Sequence, residues 1–133
     1  MKTKTFTQQI QFNTTPQQLY DIIMLEKLHA EVMQADAKIS NKVGGKFDIW
    51  DGYITGKNVE LIIGKKIVQE WHALEMPLGH ISLVTFEFIP QKSNTTLLKF
   101  THANVPVDVS ANYEKGWVEN YWEPIKAWLK DYK

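Results

Sequence analysis

The chain has 133 residues, 15 basic and 15 acidic side chains, 44% hydrophobic residues, 12% aromatic residues and no cysteine. Balanced charge gives no field to draw it onto phosphate backbones or anionic lipid, so neither nucleic acid nor membrane is an expected partner. The missing cysteines exclude disulfides, thiolate catalysis and cysteine-ligated zinc or iron–sulfur centres, and the opening MKTKTFTQQIQF lacks the apolar stretch of a signal peptide or spanning helix, so the cytoplasm is the expected compartment.

From Thr5 to Phe12 the apolar residues Phe6, Ile10 and Phe12 share one parity, the period of a half-buried strand. Thr15-Pro16-Gln17-Gln18 reads as a helix start, with Thr15 as N-cap and Pro16 at the first helical position. Leu19, Ile22 and Ile23 continue it at helical spacing, and Leu25, Leu28 and Val32 suggest a second short helix. Beyond Gln34 come short apolar runs punctuated by glycine, the pattern of strands joined by turns. Asp51-Gly52 between the runs 46–50 and 53–63 predicts a hairpin with a type I′ turn, because both residues tolerate positive φ. Gly56 marks a bulge or a close backbone approach. Gly64-Lys65, Met76-Pro77-Leu78-Gly79 and 90–94 are the next turns, leading into strands over 66–72, 82–89 and 95–103. Lys65 and Lys66 are turn chemistry rather than a binding patch. Tyr113, Trp117, Tyr121, Ile125, Trp128 and Tyr132 then recur every three or four residues and line one face of a long helix, in which Pro124 predicts a kink or a break.

No Pro/Gly/Ser-rich or highly charged segment divides the chain, so residues 1–133 read as one domain. The order strand, two short helices, a run of strands and a long helix predicts an α+β fold with helices on one face of an antiparallel sheet. A strongly curved sheet wrapped around the last helix would leave a space between them.

His29, His72, His80 and His102 lack the close spacing of a zinc helix motif, and no glycine-rich phosphate loop, nucleophile elbow or catalytic triad pattern occurs. No metal or cofactor is therefore expected, and binding is favoured over catalysis. Glu119 and Glu123 lie within helical reach of Lys115 and Lys126, the pattern of a solvated face. His102 shares parity with Leu98 and Phe100, which aims it inward as a core histidine or as a hydrogen-bond partner for a ligand. Gln69 lies between Ile67 and Trp71 on one strand face; it turns inward and needs a partner, such as a ligand or Tyr121, or faces solvent with Val68 and His72 inward instead. The rings of Phe47, Trp50, Phe86, Phe88, Phe100, Trp117 and Tyr121 form either a packed core or the wall of a small-ligand site.

Three blocks, Gly44-Gly45-Lys46-Phe47, Trp50-Asp51-Gly52-Tyr53-Ile54-Thr55-Gly56 and Gly64-Lys65-Lys66-Ile67-Val68-Gln69-Glu70-Trp71, resemble the activator of heat-shock-protein ATPase homologue family. Gly116-Trp117, Tyr121-Trp122-Glu123-Pro124 and Trp128-Leu129 resemble that family's closing helix. The family is similar to the START-like (SRPBCC) helix-grip group, which implies a curved antiparallel sheet around a long C-terminal helix, two short helices after the first strand, and an interior cavity. The implied ligand is a small apolar or aromatic molecule, with Phe47, Trp50, Gln69, Trp71, Phe86, Phe88, Phe100, His102, Trp117 and Tyr121 as the expected lining. An alternative that the resemblance implies is a chaperone-associated, stress-related interaction protein, although the family's chaperone activator carries a separate N-terminal domain for which 133 residues leave no room. A cyclase or aromatase using His102 or Tyr121 is a third reading. On base rates the assembly is a monomer or a homodimer.

Overall fold

The computed structural model describes residues 1–131, so Tyr132 lies outside the described part of the expected helix face. β1 (Thr3–Phe12) is followed by α1 (Pro16–Met24) and α2 (Glu26–Met33). Thr15 caps α1 as its residue type predicts, its hydroxyl accepting from the Gln18 N–H at 3.2 Å. The buried face of α2 is rotated from the expected one: His29 and Val32 are buried, Leu28 is half-buried and Leu25 is exposed.

Six strands follow: β2 (Ala37–Ile39), β3 (Lys46–Ile49), β4 (Ile54–Ile62), β5 (Lys66–Ala73), β6 (Ser82–Gln91) and β7 (Thr95–Pro106). They join β1 in a seven-stranded sheet of order β1-β7-β6-β5-β4-β3-β2 with antiparallel neighbours throughout. The sheet is curved and not closed, with β1 and β2 at its edges. β2 has only three residues, too few to carry a readable period, and sequence patterning passes over it.

The 50–53 segment contains the expected type I′ turn. Asp51 and Gly52 have φ of 55° and 87°, and the Tyr53 N–H donates to the Trp50 carbonyl at 3.2 Å. Trp50 itself also has positive φ, 56°, which is unfavourable for a bulky residue. Gly56 is a close approach, because a Cβ there would stand 1.9 Å from the Glu70 carbonyl oxygen and 2.5 Å from the Phe47 ring. The bulge of β4 lies elsewhere, between Asn58 and Glu60.

The C-terminal helix runs as α3 (Val107–Trp117), a π-helical turn over Val118–Trp122, and α4 (Glu123–Asp131). Pro124 therefore neither breaks the helix nor sits in an ordinary α-helical interior. The Glu123 N–H reaches back five residues to the Val118 carbonyl, and Pro124 then falls in the first turn of α4, where a missing N–H costs least. The extra residue in the π turn shifts the buried face. Tyr121 and Trp122 are both buried, and beyond them Ile125 and Leu129 face the core, while Trp128 is half-buried and donates its indole N–H to Glu31 at 2.8 Å. Tyr121 and Ile125 are buried as spacing predicts, but after the turn Trp122 and Leu129 join them and Trp128 is displaced to the margin.

Two glycines separate packing from propensity. Gly56→Ala would force its Cβ against backbone, so urea unfolding should show a loss of about 3 kcal/mol or more. Gly116→Ala sits in α3 with nothing nearer than the Asn120 side-chain nitrogen at 3.7 Å, so the same assay should show a gain of about 0.5–1 kcal/mol.

Candidate functional site

The alternation of β5, β6 and β7 sends Trp71, Phe86, Phe100 and His102 to the concave face, and the register sets Phe86 opposite Phe100 and Trp71 opposite Ser82. Trp117 descends from α3 into their centre. Its ring lies 4.4 Å from Phe100, 5.8 Å from Trp71 and 5.9 Å from Phe86, centroid to centroid. Phe100 also meets Trp122 at 5.3 Å, while Phe88 packs edge-on against Tyr20 from α1 at 5.7 Å. The middle of the sheet–helix interface is filled core.

Hydrogen bonds fix His102 within it. The Trp117 indole N–H donates to Nδ1 at 3.1 Å, which leaves the proton on Nε2, 2.9 Å from the Ser82 hydroxyl. That hydroxyl donates in turn to the Trp71 carbonyl at 2.7 Å. Every polar atom in the chain of contacts is used, and burial lowers the His102 pKa to about 3, holding the ring neutral. Gln69 points inward, resolving the parity left open by sequence, and its protein partners are Asn58 and Met24 rather than Tyr121. Its side-chain amide donates to Asn58 Oδ1 at 3.0 Å, and Asn58 donates to the carbonyls of Ser40 and Lys42 at 2.7 and 2.9 Å.

The open volume lies to one side of this core. A pocket of about 200 Å³ is formed where the β3–β4 turn, the β5–β6 loop and the C-terminal helix meet. Trp50, Trp71, Trp117 and Tyr121 wall it, with Tyr53, Glu75, Asn112, Tyr113 and Asn120 around them. Trp50 stands edge-on to Tyr121 at 5.9 Å. At the rim the exposed Glu75 accepts the Tyr113 hydroxyl at 2.8 Å and a second bond from the Tyr53 hydroxyl. Partial burial works against its charge, but the two phenols and a backbone N–H outweigh it, and the Glu75 pKa falls below the ordinary carboxylate range. Burial together with Glu75 pushes the Tyr53 phenol up to about 12 and the Tyr113 phenol further still.

Of the ten residues expected to line a cavity, Trp50, Trp71, Trp117 and Tyr121 border this pocket. Phe47, Gln69 and Phe86 surround a void of only about 10 Å³ deeper in the interface, and Phe88, Phe100 and His102 border neither. Sequence reasoning did not assign Tyr53, Glu75, Asn112, Tyr113 and Asn120 to a site. Tyr113 was legible only as part of a helix face, and Glu75 belongs to a loop with no period. His29 was missed as well. It is buried in α2 beside the small void, with Nε2 3.0 Å from the Tyr121 hydroxyl and, among the described residues, no hydrogen-bond partner for Nδ1, and burial lowers its pKa to about 4. The signal available was its three-residue spacing from Val32. Glu119 pairs with Lys115 at 3.9 Å and both are exposed, as expected of a solvated face.

The model of the family described as Activator of Hsp90 ATPase homolog 1-like protein matches residues 13–130. The chain belongs to this family. It is 33% identical over 119 residues to Activator of 90 kDa heat shock protein ATPase homolog 2 of Mus musculus, covering 90% of this chain and 36% of that protein. It is 34% identical over 125 residues to the homologue from Dictyostelium discoideum, covering 93% of this chain and 32% of that one. The chain thus spans about a third of the length of these curated relatives. Among solved structures it overlays an HSP90 activator from Plasmodium falciparum with a TM-score of 0.90 at 29% identity, covering 96% of both chains. The Aha1 dimer from Colwellia psychrerythraea, at 18% identity and a TM-score of 0.79 over 94% of this chain and 95% of that one, shares the fold. Among the described residues of this family member, no helix is long and apolar enough to cross a membrane.

The two buried histidines give the fold a pH dependence of definite sign. Their folded pKa values, about 4 and about 3, lie below the ordinary value of 6.5, so between these limits the unfolded chain binds more protons than the folded one. Their contribution is complete above pH 6.5 and is lost as pH falls. Urea unfolding between pH 7 and 5 should approach a slope of about 3 kcal/mol per pH unit, two protons' worth, and His29→Gln should bring that slope down to about half.

Proposed function

We propose that this family member binds a small organic molecule, apolar or aromatic in body, in the pocket between the β3–β4 turn and the C-terminal helix. The observation that carries this reading is the pocket itself. Its volume is about 200 Å³, with three indoles for walls and a few polar groups at the margin, the composition of small-ligand sites. The volume is below the roughly 300–1,000 Å³ of sites for drug-sized molecules, which favours a compact ligand. Tyr121 borders the pocket and His102 does not, and the His102 ring nitrogens are both engaged, which favours binding over acid–base catalysis. Ligand-observed NMR with a panel of compact apolar and aromatic fragments should reveal saturable binding by at least one. Gly116 borders the pocket, so Gly116→Phe should abolish that binding while the far-UV circular dichroism is retained. A panel in which nothing binds the wild-type chain, or in which Gly116→Phe binds equally well, removes this reading.

A second reading is a chaperone-associated role. It is favoured by 31–34% identity across 86–93% of this chain to proteins named as activators of the 90 kDa heat shock protein ATPase. In this reading the chain docks on an Hsp90-type chaperone and raises its ATP turnover. Addition of excess chain to purified Hsp90 in a coupled ATPase assay should then increase the rate. An unchanged rate, with no co-elution of the two proteins on gel filtration at low salt, rules the role out.

A further inference from the structure

We propose that the pocket selects a small organic cation, an alkylammonium group seated against the indole faces with Glu75 as its counter-ion. This deepens the reading of the pocket as a ligand site and depends on it. Glu75 is the one formally charged residue bordering the pocket, and the lining contains no lysine, arginine or histidine. Among the described residues the carboxylate takes part in no ion pair with a lysine. Its hydrogen-bond partners are the phenols of Tyr53 and Tyr113 and a backbone N–H, neutral donors that hold the carboxylate in its charged form and orient it. An ionised carboxylate accepts about four hydrogen bonds, so some acceptor capacity remains, and none of these neutral donors compensates its charge.

The rest of the wall suits the same guest. The indoles of Trp50, Trp71 and Trp117 border the space, and the indole face is the strongest aromatic surface for a cation, which is how cages of aromatic rings hold quaternary ammonium groups. Trp50 takes its place from a left-handed backbone conformation, φ 56°, which a bulky side chain rarely adopts. Such strain concentrates where a fold positions a functional group. An anion would meet the Glu75 charge with no cation in the lining to offset it, and a purely apolar guest would make no use of the carboxylate. The pocket volume of about 200 Å³ limits the guest to a few carbons around the nitrogen.

The probes are choline chloride and dimethylbutanol, its uncharged isostere in which carbon replaces the nitrogen. They are titrated into the full chain against matched sodium chloride while the indole N–H resonances of Trp50, Trp71 and Trp117 are followed. Choline should produce saturable shifts, and dimethylbutanol should bind about ten-fold more weakly. Glu75→Gln should weaken choline about ten-fold and leave dimethylbutanol unchanged. Equal binding of the two probes to the wild-type chain overturns the cation selectivity and leaves the pocket as an apolar ligand site. Silence from both probes also overturns it; in that case the ligand reading survives only if the aromatic fragments bind, and falls with it if they do not.

Discussion

The indole of Trp117 enters the concave face of the sheet from above, and its N–H must find an acceptor in a region that excludes water. His102 supplies that acceptor at 3.1 Å, passes its own proton toward Ser82, and Ser82 closes on the Trp71 carbonyl. The contacts tie α3 to β7, β6 and β5 with no polar atom unpaired, and an unpaired one in such a place would carry the full desolvation penalty. They also fix the His102 tautomer and hold Trp71 and Trp117, which serve the core on one side and the pocket on the other. The position of the pocket wall therefore depends on a hydrogen-bonded core.

The π turn has a comparable reach. By adding one residue before Pro124 it brings Tyr121 toward His29 and Trp122 toward Phe12 and Phe100. The Trp122 N–H is then satisfied by Gln8 of β1 at 2.7 Å, and the Gln8 amide returns a bond to the Glu114 carbonyl at 2.9 Å. At a uniform α-helical pitch Trp122 and Leu129 would lie well round the helix from Tyr113 and Trp117, and the added residue returns them to the face that packs on the sheet. π turns of this kind recur at functional sites, and here Tyr121, inside the turn, borders both the pocket and the deeper void.

Membership of the Hsp90-activator family and the helix-grip arrangement of sheet and helix are consistent with each other, but they locate different things. The family relation extends over nearly the whole chain, including Gly56, which allows β4 to approach β5, and the closing helix. The pocket lies where a turn with positive φ, a loop carboxylate and the helix converge. A scaffold is specified by many distributed contacts and a pocket by few, so the one does not follow from the other.

The sequence by itself determined the order of the helices and of every strand but β2, the cap at Thr15, the turn at Asp51-Gly52, a special backbone role for Gly56 and the family. Each of these is local: a residue type that tolerates a particular φ, or a period of two or of about three and a half, is legible wherever it stands. The strand aromatics Phe86, Phe88 and Phe100 were also legible as inward-facing, because burial follows parity on a strand. Which aromatic side chains pack solidly and which border open space was decided by the tertiary structure. Phe86 and Phe100 fill the centre because the register sets them opposite each other beneath Trp117. Trp50 borders the pocket from a left-handed backbone position, and Glu75 joins it from a loop through two tyrosines distant in sequence. His29 and Trp122 reached the core through a rotated helix face and an added π residue. Such placements arise from contacts between segments far apart along the chain, and no periodicity records them.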